Sequence, residues 1–467
     1  MLTRLEVRGF KNLLDVDVEF GPFTCIAGAN GMGKSNLFDA IEFLSYLATH
    51  PLAEAAQRVR GTAAGKGGDP RDLFWDGYRE DEHRITISAE MLVPTEVEDE
   101  LGERARPEAT YLRYEVVLGY AAARGEHGFG RLELLREDLR QIPNVRSRLS
   151  FRTSPSFLDA VVIDDGQKRV FLSTDGGGRE PMIHVHTDRN RVEKSRPASR
   201  AARTVLSTKI TADDPTVLAA RNEMRSWRRL ALEPSALRTP DGTTDSESLS
   251  ARGRHLPATL YRVAHAPEWS VEPDRVYARV AGRLSDLSGV AVEDLEVEFD
   301  DARELFTLFL RERGGLRLPA RALSEGTLRF LALCVLLEDA EFTGLVCMEE
   351  PENGIHPANL PAMVQLVRDL AVDPIETPGD DNPFRQVIVN THSPGVVQLC
   401  DPDDLLLADV RLKAAPRGEA ARALSLLPFH RSWRARHGGP TFSMADIVAY
   451  LSEPPQAHLR LPSGLTA

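Results

Sequence analysis

Three stretches of this chain hold residues whose types and spacing can act together on a phosphate chain. The first is Gly28-Ala29-Asn30-Gly31-Met32-Gly33-Lys34-Ser35. Glycines at these intervals let successive backbone N–H groups turn toward one anion, where a Cβ would stand in the way. Lys34 can supply a fixed positive charge for the β- and γ-phosphates of a nucleoside triphosphate, and the Ser35 hydroxyl is a candidate Mg²⁺ ligand. Asn30, Gly31, Gly33 and Asn36 complete the candidate nucleotide contacts. The second stretch is Glu349-Glu350, paired carboxylates that close an apolar run. Glu349 is the candidate to approach Mg²⁺ through its water shell, and Glu350 the candidate to orient and activate an attacking water. The third is Asn390-Thr391-His392-Ser393-Pro394, where His392 is a candidate sensor of the γ-phosphate. Ser324 and Gly326, at the start of a helical pattern, offer N–H groups and a positive dipole end to an anion. The same pair also reads as an ordinary helix cap.

These residues need particular elements to hold them. The apolar run Phe23 to Ala27 precedes the glycine loop, and Leu37, Ala40, Ile41 and Leu44 follow it at helical spacing. Strand, loop and helix in that order are the context a phosphate-binding loop requires, with the helix expected over about residues 34–48. Gly344 to Met348 and Gln386 to Asn390 read as strands ending in the acids and in His392. Residues 2–9 and 16–20 alternate apolar and polar, and 84–93, 111–120 and 131–136 read as longer strands. An antiparallel sheet beside the phosphate-loop unit is the simple interpretation. Gly61 to Asp69 reads as a mobile Gly-rich loop, and residues 234–257 as an exposed connection. A helix is expected over 275–287, with strands over 290–299 and 305–311.

Composition sets the limits. The chain has 467 residues, 42 % hydrophobic and 27 % charged, ordinary for a soluble globular protein of two or three compact units. Apolar runs fall short of a membrane span, and Met1 to Glu6 lacks the apolar core of a signal peptide, so a cytoplasmic protein with no membrane partner is expected. Cys25, Cys334, Cys347 and Cys400 lack metal-type spacing, and His184 and His186 read as surface histidines. The net charge of −13 argues against indiscriminate nucleic-acid binding but leaves room for a local basic surface. His186 to Lys209 carries seven Lys/Arg against two acids, and Met224 to Leu230 adds more. That run reads either as a solvated face or as a surface for nucleic acid or a protein partner. Recurrent prolines between Ser35 and Ser324 (Pro215, Pro234, Pro240, Pro257, Pro267, Pro273) and the lack of heptads exclude a long coiled-coil arm.

In this order the motifs resemble the ABC-type ATPases of the RecF/SMC/OLD group, in the branch of bacterial AAA-family or SMC-like ATPases. Gly28–Ser35 resembles Walker A, Leu323–Thr327 the signature, and Leu345–Glu350 Walker B. Pro351–Pro357 resembles the D-loop and Asn390–Pro394 the switch-histidine segment. The resemblance implies an α/β fold: a P-loop NTPase head of ABC/SMC type, with a mixed sheet flanked by helices, an antiparallel β lobe and an inserted, partly helical subdomain. The expected division is 1–185 (N-terminal lobe), 186–289 (variable, basic insertion) and 290–467 (C-terminal lobe). It implies ATP and Mg²⁺ as cofactors and a head that dimerises around two ATP molecules, Walker A of one subunit facing the signature of the other. Two features depart from the pattern: Glu349 stands where most such ATPases have Asp, and Gln57 is only a poor match for a Q-loop glutamine. The 75 residues after His392 lack the acidic pattern of a Toprim nuclease. Relatives of this size imply an ATP-hydrolysing switch that controls a partner effector, a nuclease or toxin, in bacterial antiviral defence. The alternative is a RecF-like ATPase acting directly on DNA in repair.

Overall fold

The computed structural model describes residues 1–59, 69–77, 84–122, 130–176, 180–186, 192–266, 273–414 and 420–452. The loop expected over 61–69 lies, apart from Asp69, outside them, as do Arg189 and Arg191 of the basic run.

The site rests on a six-stranded sheet. Its spatial order is Arg228–Leu230, Gly344–Glu349, Arg385–Thr391, Phe23–Ala27, Leu405–Ala414 and Ala420–Pro428. The first five strands run parallel and the sixth antiparallel, so the sheet is mixed. Side chains alternate between the faces of a strand, and the sheet therefore divides the interior in two. Ile26, Leu345, Cys347, Ile388 and Leu406 join one core, while Phe23, Cys25, Val346, Met348, Val387, Val389 and Leu405 join the other. Both faces are covered, which is why these strands read as continuous apolar runs.

The first core takes in the helix Lys34–Leu47 through Leu37, Phe38, Ile41 and Leu44, and beyond it a second sheet. That sheet is antiparallel and eight-stranded. It runs Val192–Pro197, Met182–His186, Val170–Asp175, Arg131–Gln141, Tyr111–Ala121, Arg84–Leu92, Leu2–Arg8, Val16–Glu19. The strand expected over 131–136 is thus longer than its apolar pattern, because its polar residues from Glu137 onward still pair in the ladder. On the opposite face of the mixed sheet, the second core packs the helices Glu325–Glu338, Leu360–Asp369, Pro273–Ser288 and Leu256–Ala264. A smaller antiparallel sheet of Asp241–Gly242, Val292–Asp300, Leu305–Glu312 and Arg317–Pro319 lies against them. No helix among the described residues is long and apolar enough to cross a membrane.

Residues 186–289 are shared among the three sheets described above: Val192–Pro197 edges the antiparallel sheet, Arg228–Leu230 the mixed one, and Asp241–Gly242 the small one. Two expectations within this segment are corrected. The connection 234–257 is not simply exposed, because Leu237, Asp241 and Leu249 are buried. Its polar composition hides a buried carboxylate, Asp241, which accepts from the Ala258 N–H at 3.1 Å and meets His255 Nδ1 at 3.2 Å. Nor is Met224 to Leu230 a basic surface: Met224 and Trp227 are buried, and the Arg228 guanidinium lies 4.5 Å from the Phe342 ring centroid.

Gln386 ties the two large sheets together. Its amide takes the Leu2 N–H at 2.8 Å and donates to the carbonyls of Leu2 (2.7 Å) and Gly21 (2.8 Å), all of it buried. Gln386→Leu strands three buried backbone groups at once. It is expected to cost about 2–5 kcal/mol in denaturant unfolding; an unchanged midpoint would show that the tie carries no stability.

Candidate functional site

The loop between Ala27 and the helix at Lys34 turns on Gly33, whose φ of +96° is open to glycine. A Cβ there would also sit 2.0 Å from the Asn12 amide nitrogen. Asn12 uses that closeness to prop the loop from outside: its Nδ2 donates to the Met32 carbonyl at 3.1 Å, and its Oδ1 accepts from Asn36 Nδ2 at 2.7 Å. The result is a pocket of about 290 Å³ lined by residues 29–36 together with Glu349, Glu350 and Asn390. Lys34 donates to the carbonyls of Gly28 and, at 2.9 Å, Ala29. Burial lowers its pKa, opposed by the carboxylates of Glu350, Glu352 and Glu349. The Asn36 N–H bonds the Gly33 carbonyl at 3.0 Å, while the N–H groups of Lys34 and Ser35 precede the first bond an α-helix makes to itself. A glycine-lined concavity with these donors and one lysine fits a polyphosphate.

The sheet decides where the paired acids point. Glu349 follows Leu345 and Cys347 at alternate positions, so it faces the side of the helix Lys34–Leu47. Arg229 is in register with Cys347 on the neighbouring parallel strand and faces the same way. The two meet: the Arg229 guanidinium binds Glu349 Oε1, and its other arm reaches Asp39 Oδ1 at 3.1 Å. Asp39, fully buried on the helix, takes the Lys11 ammonium on its second oxygen at 2.6 Å. Lys11, Asp39, Arg229 and Glu349 thus form a chain of alternating charges behind the pocket. Glu349 Oε2 carries no hydrogen bond among the described residues, so one carboxylate oxygen is left for another ligand. Ser35 and Glu349 both line the pocket, a hydroxyl and a carboxylate suited to Mg²⁺.

Glu350 breaks the strand alternation. Its φ of +45° is rare for a side chain that carries a Cβ. The conformation is held by its N–H, which bonds both the Asn390 carbonyl (3.0 Å) and Asn390 Oδ1 (3.1 Å). Its carboxylate then receives Asn353 Nδ2 at 2.8 Å on one oxygen and His392 Nδ1 at 2.8 Å on the other. Partial burial opposes ionisation, but the bonds from Asn353 and His392 and the charges of His392 and Lys34 outweigh it and hold the carboxyl below the ordinary glutamate range. An ionised carboxylate only accepts, so Nδ1 of His392 is the donor in this bond.

The pocket therefore gathers Asn30, Gly31, Gly33, Lys34, Ser35, Asn36, Glu349 and Glu350, with His392 joined through Glu350. Ser324 and Gly326 are not among its lining residues. Ser324 caps its own helix, its Oγ accepting the Thr327 N–H at 3.2 Å, and is exposed. Gln57 is exposed on the helix Leu52–Arg58 and does not line the pocket either. His184 and His186 are half-buried, meeting Ser195 and Ser173 at 2.7 Å each. Asn12, Arg229, Asn353 and Asn390 act here without having been singled out. Asn390 and Asn353 lie within the histidine segment and the stretch Pro351–Pro357 that the sequence marks, without a role of their own assigned there.

A family profile described as "AAA domain, putative AbiEii toxin, Type IV TA system" matches residues 23–398. DNA replication and repair protein RecF of Phocaeicola vulgatus is 44 % identical over 84 residues, 16 % of this chain and 23 % of that protein. RecF of Parabacteroides distasonis is 47 % identical over 51 residues, 11 % of this chain and 14 % of that protein. The chain thus spans less than a quarter of the RecF proteins it matches. Among solved structures, an SMC head bound to the C-terminal winged-helix domain of ScpA aligns over 91 % of this chain and 97 % of its own, at 14 % identity and a TM-score of 0.43. The SMC head domain of Thermotoga maritima covers 91 % of this chain and 98 % of its own, at 13 % identity and a TM-score of 0.34. Since the profile runs from the strand before the glycine loop to the helix after His392, the chain belongs to this AAA-domain family.

Proposed function

We propose that this chain binds and hydrolyses ATP and works as a nucleotide-driven switch. The observation that carries this reading is that Lys34, Glu349 and Glu350 line one pocket while Glu350 is hydrogen-bonded to His392. Lys34 and the glycine-loop N–H groups would hold the phosphates, and Ser35 with Glu349 would hold Mg²⁺. When bound, the ion neutralises phosphate charge. Glu350, ionised and fixed by Asn353 and His392, is the base that takes a proton from the attacking water. His392, held through Nδ1 by Glu350, would be the residue that senses the γ-phosphate.

Ser324 and Gly326 stand away from the pocket of their own chain, which favours a dimer in which they complete the site of the other subunit. The family description names a toxin–antitoxin system, which favours control of a protein effector, a nuclease or toxin, in antiviral defence. A second reading, direct action on DNA as in the RecF proteins, draws support from Arg196, Arg200 and Arg203, all exposed at or just beyond an edge strand. Electrophoretic mobility with duplex and single-stranded DNA, with and without ATP, separates the two.

Lys34→Ala should abolish ATP binding or turnover, because the phosphates lose their fixed charge. Glu350→Gln should keep binding and lose turnover by roughly a hundredfold or more. Wild-type hydrolysis rates in either variant would overturn the site. Arg229→Met removes the anchor of Glu349 and should raise the Mg²⁺ concentration for half-maximal activity by about tenfold or more, with Arg229→Lys intermediate. An unchanged Mg²⁺ titration would mean that Glu349 needs no anchor. Ser324→Arg and Lys34→Ala should each be inactive, yet co-expressed with two tags they should regain part of the activity, since one site of the heterodimer carries neither lesion. Verified heterodimers that stay inactive would place the signature outside the partner's site.

A further inference from the structure

Glu352 has no part in the mechanism above, yet it is buried beside it, 7 % exposed. Its Oε1 accepts the hydroxyl of Thr391, which is fully buried at the end of the strand Arg385–Thr391. The same hydroxyl accepts the Ser393 N–H at 2.9 Å. A threonine hydroxyl has one proton to give; here it goes to Glu352. The residues on both sides of His392 are therefore bound to a single oxygen atom, and that atom is oriented by Glu352. The Thr391 carbonyl in turn takes the Gly28 N–H at 3.1 Å, which ties the start of the glycine loop to the same point. Glu352 itself is held in a tight turn, its carbonyl accepting the Ile355 N–H at 3.0 Å.

We propose that Glu352 is a positioning residue: through the Thr391 hydroxyl it fixes the backbone around His392 so that the imidazole meets Glu350. This rests on the reading of Glu350 and His392 as the hydrolytic pair. Acceptance by Oε1 needs an oxygen and not a charge, and burial pushes the Glu352 carboxyl up, against the bond from Thr391. Glutamine should therefore replace glutamate here, whereas alanine should not.

The test compares Glu352→Gln, Glu352→Ala and Thr391→Val, the last nearly isosteric and lacking only the hydroxyl. ATP turnover is measured together with the ¹H–¹⁵N signal of the His392 imidazole, assigned by its loss in His392→Gln. Glu352→Ala and Thr391→Val should lower kcat by about 10- to 100-fold with KM for ATP little changed, the scale of a misplaced catalytic group. Both should shift or lose the Nδ1–H signal, and Glu352→Gln should keep wild-type values of each. Wild-type kcat and an unmoved His392 signal in Thr391→Val would overturn the proposal, as would a Glu352→Gln variant as impaired as Glu352→Ala. If the wild type turns over no ATP, the hydrolytic reading fails, while the His392 signal still decides whether Glu352 sets its position.

Discussion

The register of three parallel strands is the constraint on which the rest depends. Glu349 pairs with Asn390 and Asn390 with Ile26, so the acids, the histidine segment and the glycine loop leave the sheet at one edge and in one row. Neighbouring strands lie about 4.8 Å apart, which brings chemistry from three remote segments within reach of one ligand. A slip of one residue would send Glu349 to the opposite core and detach Glu350 from Asn390. Leu345, Cys347 and Ile388 fit one core while Val346, Met348, Val387 and Val389 fit the other, and Gln386 adds buried hydrogen bonds to Leu2 and Gly21 that hold the same register.

The charge chain behind the pocket follows from the same parity. Asp39 is fully buried, and a lone carboxylate there would be costly. Lys11 and Arg229 compensate it from two directions. Arg229 is then only partly neutralised, and Glu349 supplies the remaining negative charge. Removing Arg229 would leave buried Asp39 to Lys11 and take from half-buried Glu349 the cation that anchors it, and losing one partner of a buried pair costs more than the intact pair contributes. A Glu in place of the shorter Asp suits this arrangement, since its added methylene lets one carboxylate touch both Arg229 and the pocket.

Much of the site was legible because its signals are local. Glycine spacing, paired acids after an apolar run and a histidine at a strand end each sit within a few residues, and the structure brings them to one place. What escaped the sequence depends on partners far along the chain. Arg229 was counted among basic residues, since nothing nearby shows that its strand lies beside Glu349 with matching parity. Nothing around Asn12 in the sequence marks it, because its role needs the Gly33 backbone beside it. Residues 234–257 looked exposed from their polar composition, yet a few apolar anchors and one capped aspartate bury them. For the same reason the strand Arg131–Gln141 outran its apolar pattern: ladder pairing, not alternation, carries its second half.

The placement of Phe23–Ala27 also has a consequence for how the chain comes into being. Both neighbours of this strand, Arg385–Thr391 and Leu405–Ala414, are made long after it. At ordinary translation speeds of about 5–20 residues per second, the strand waits roughly 20–70 s for its first partner. Over that interval the helix Lys34–Leu47 can already settle on the antiparallel sheet, whose strands Leu2–Arg8 and Arg84–Leu92 emerge early. The glycine loop, however, hangs from an unpaired apolar strand, an edge that invites wrong pairing on the ribosome. A nascent chain that ends before residue 385 lacks the strand that brings Asn390 and His392, so the pocket beside the glycine loop is not complete until most of the chain has been made.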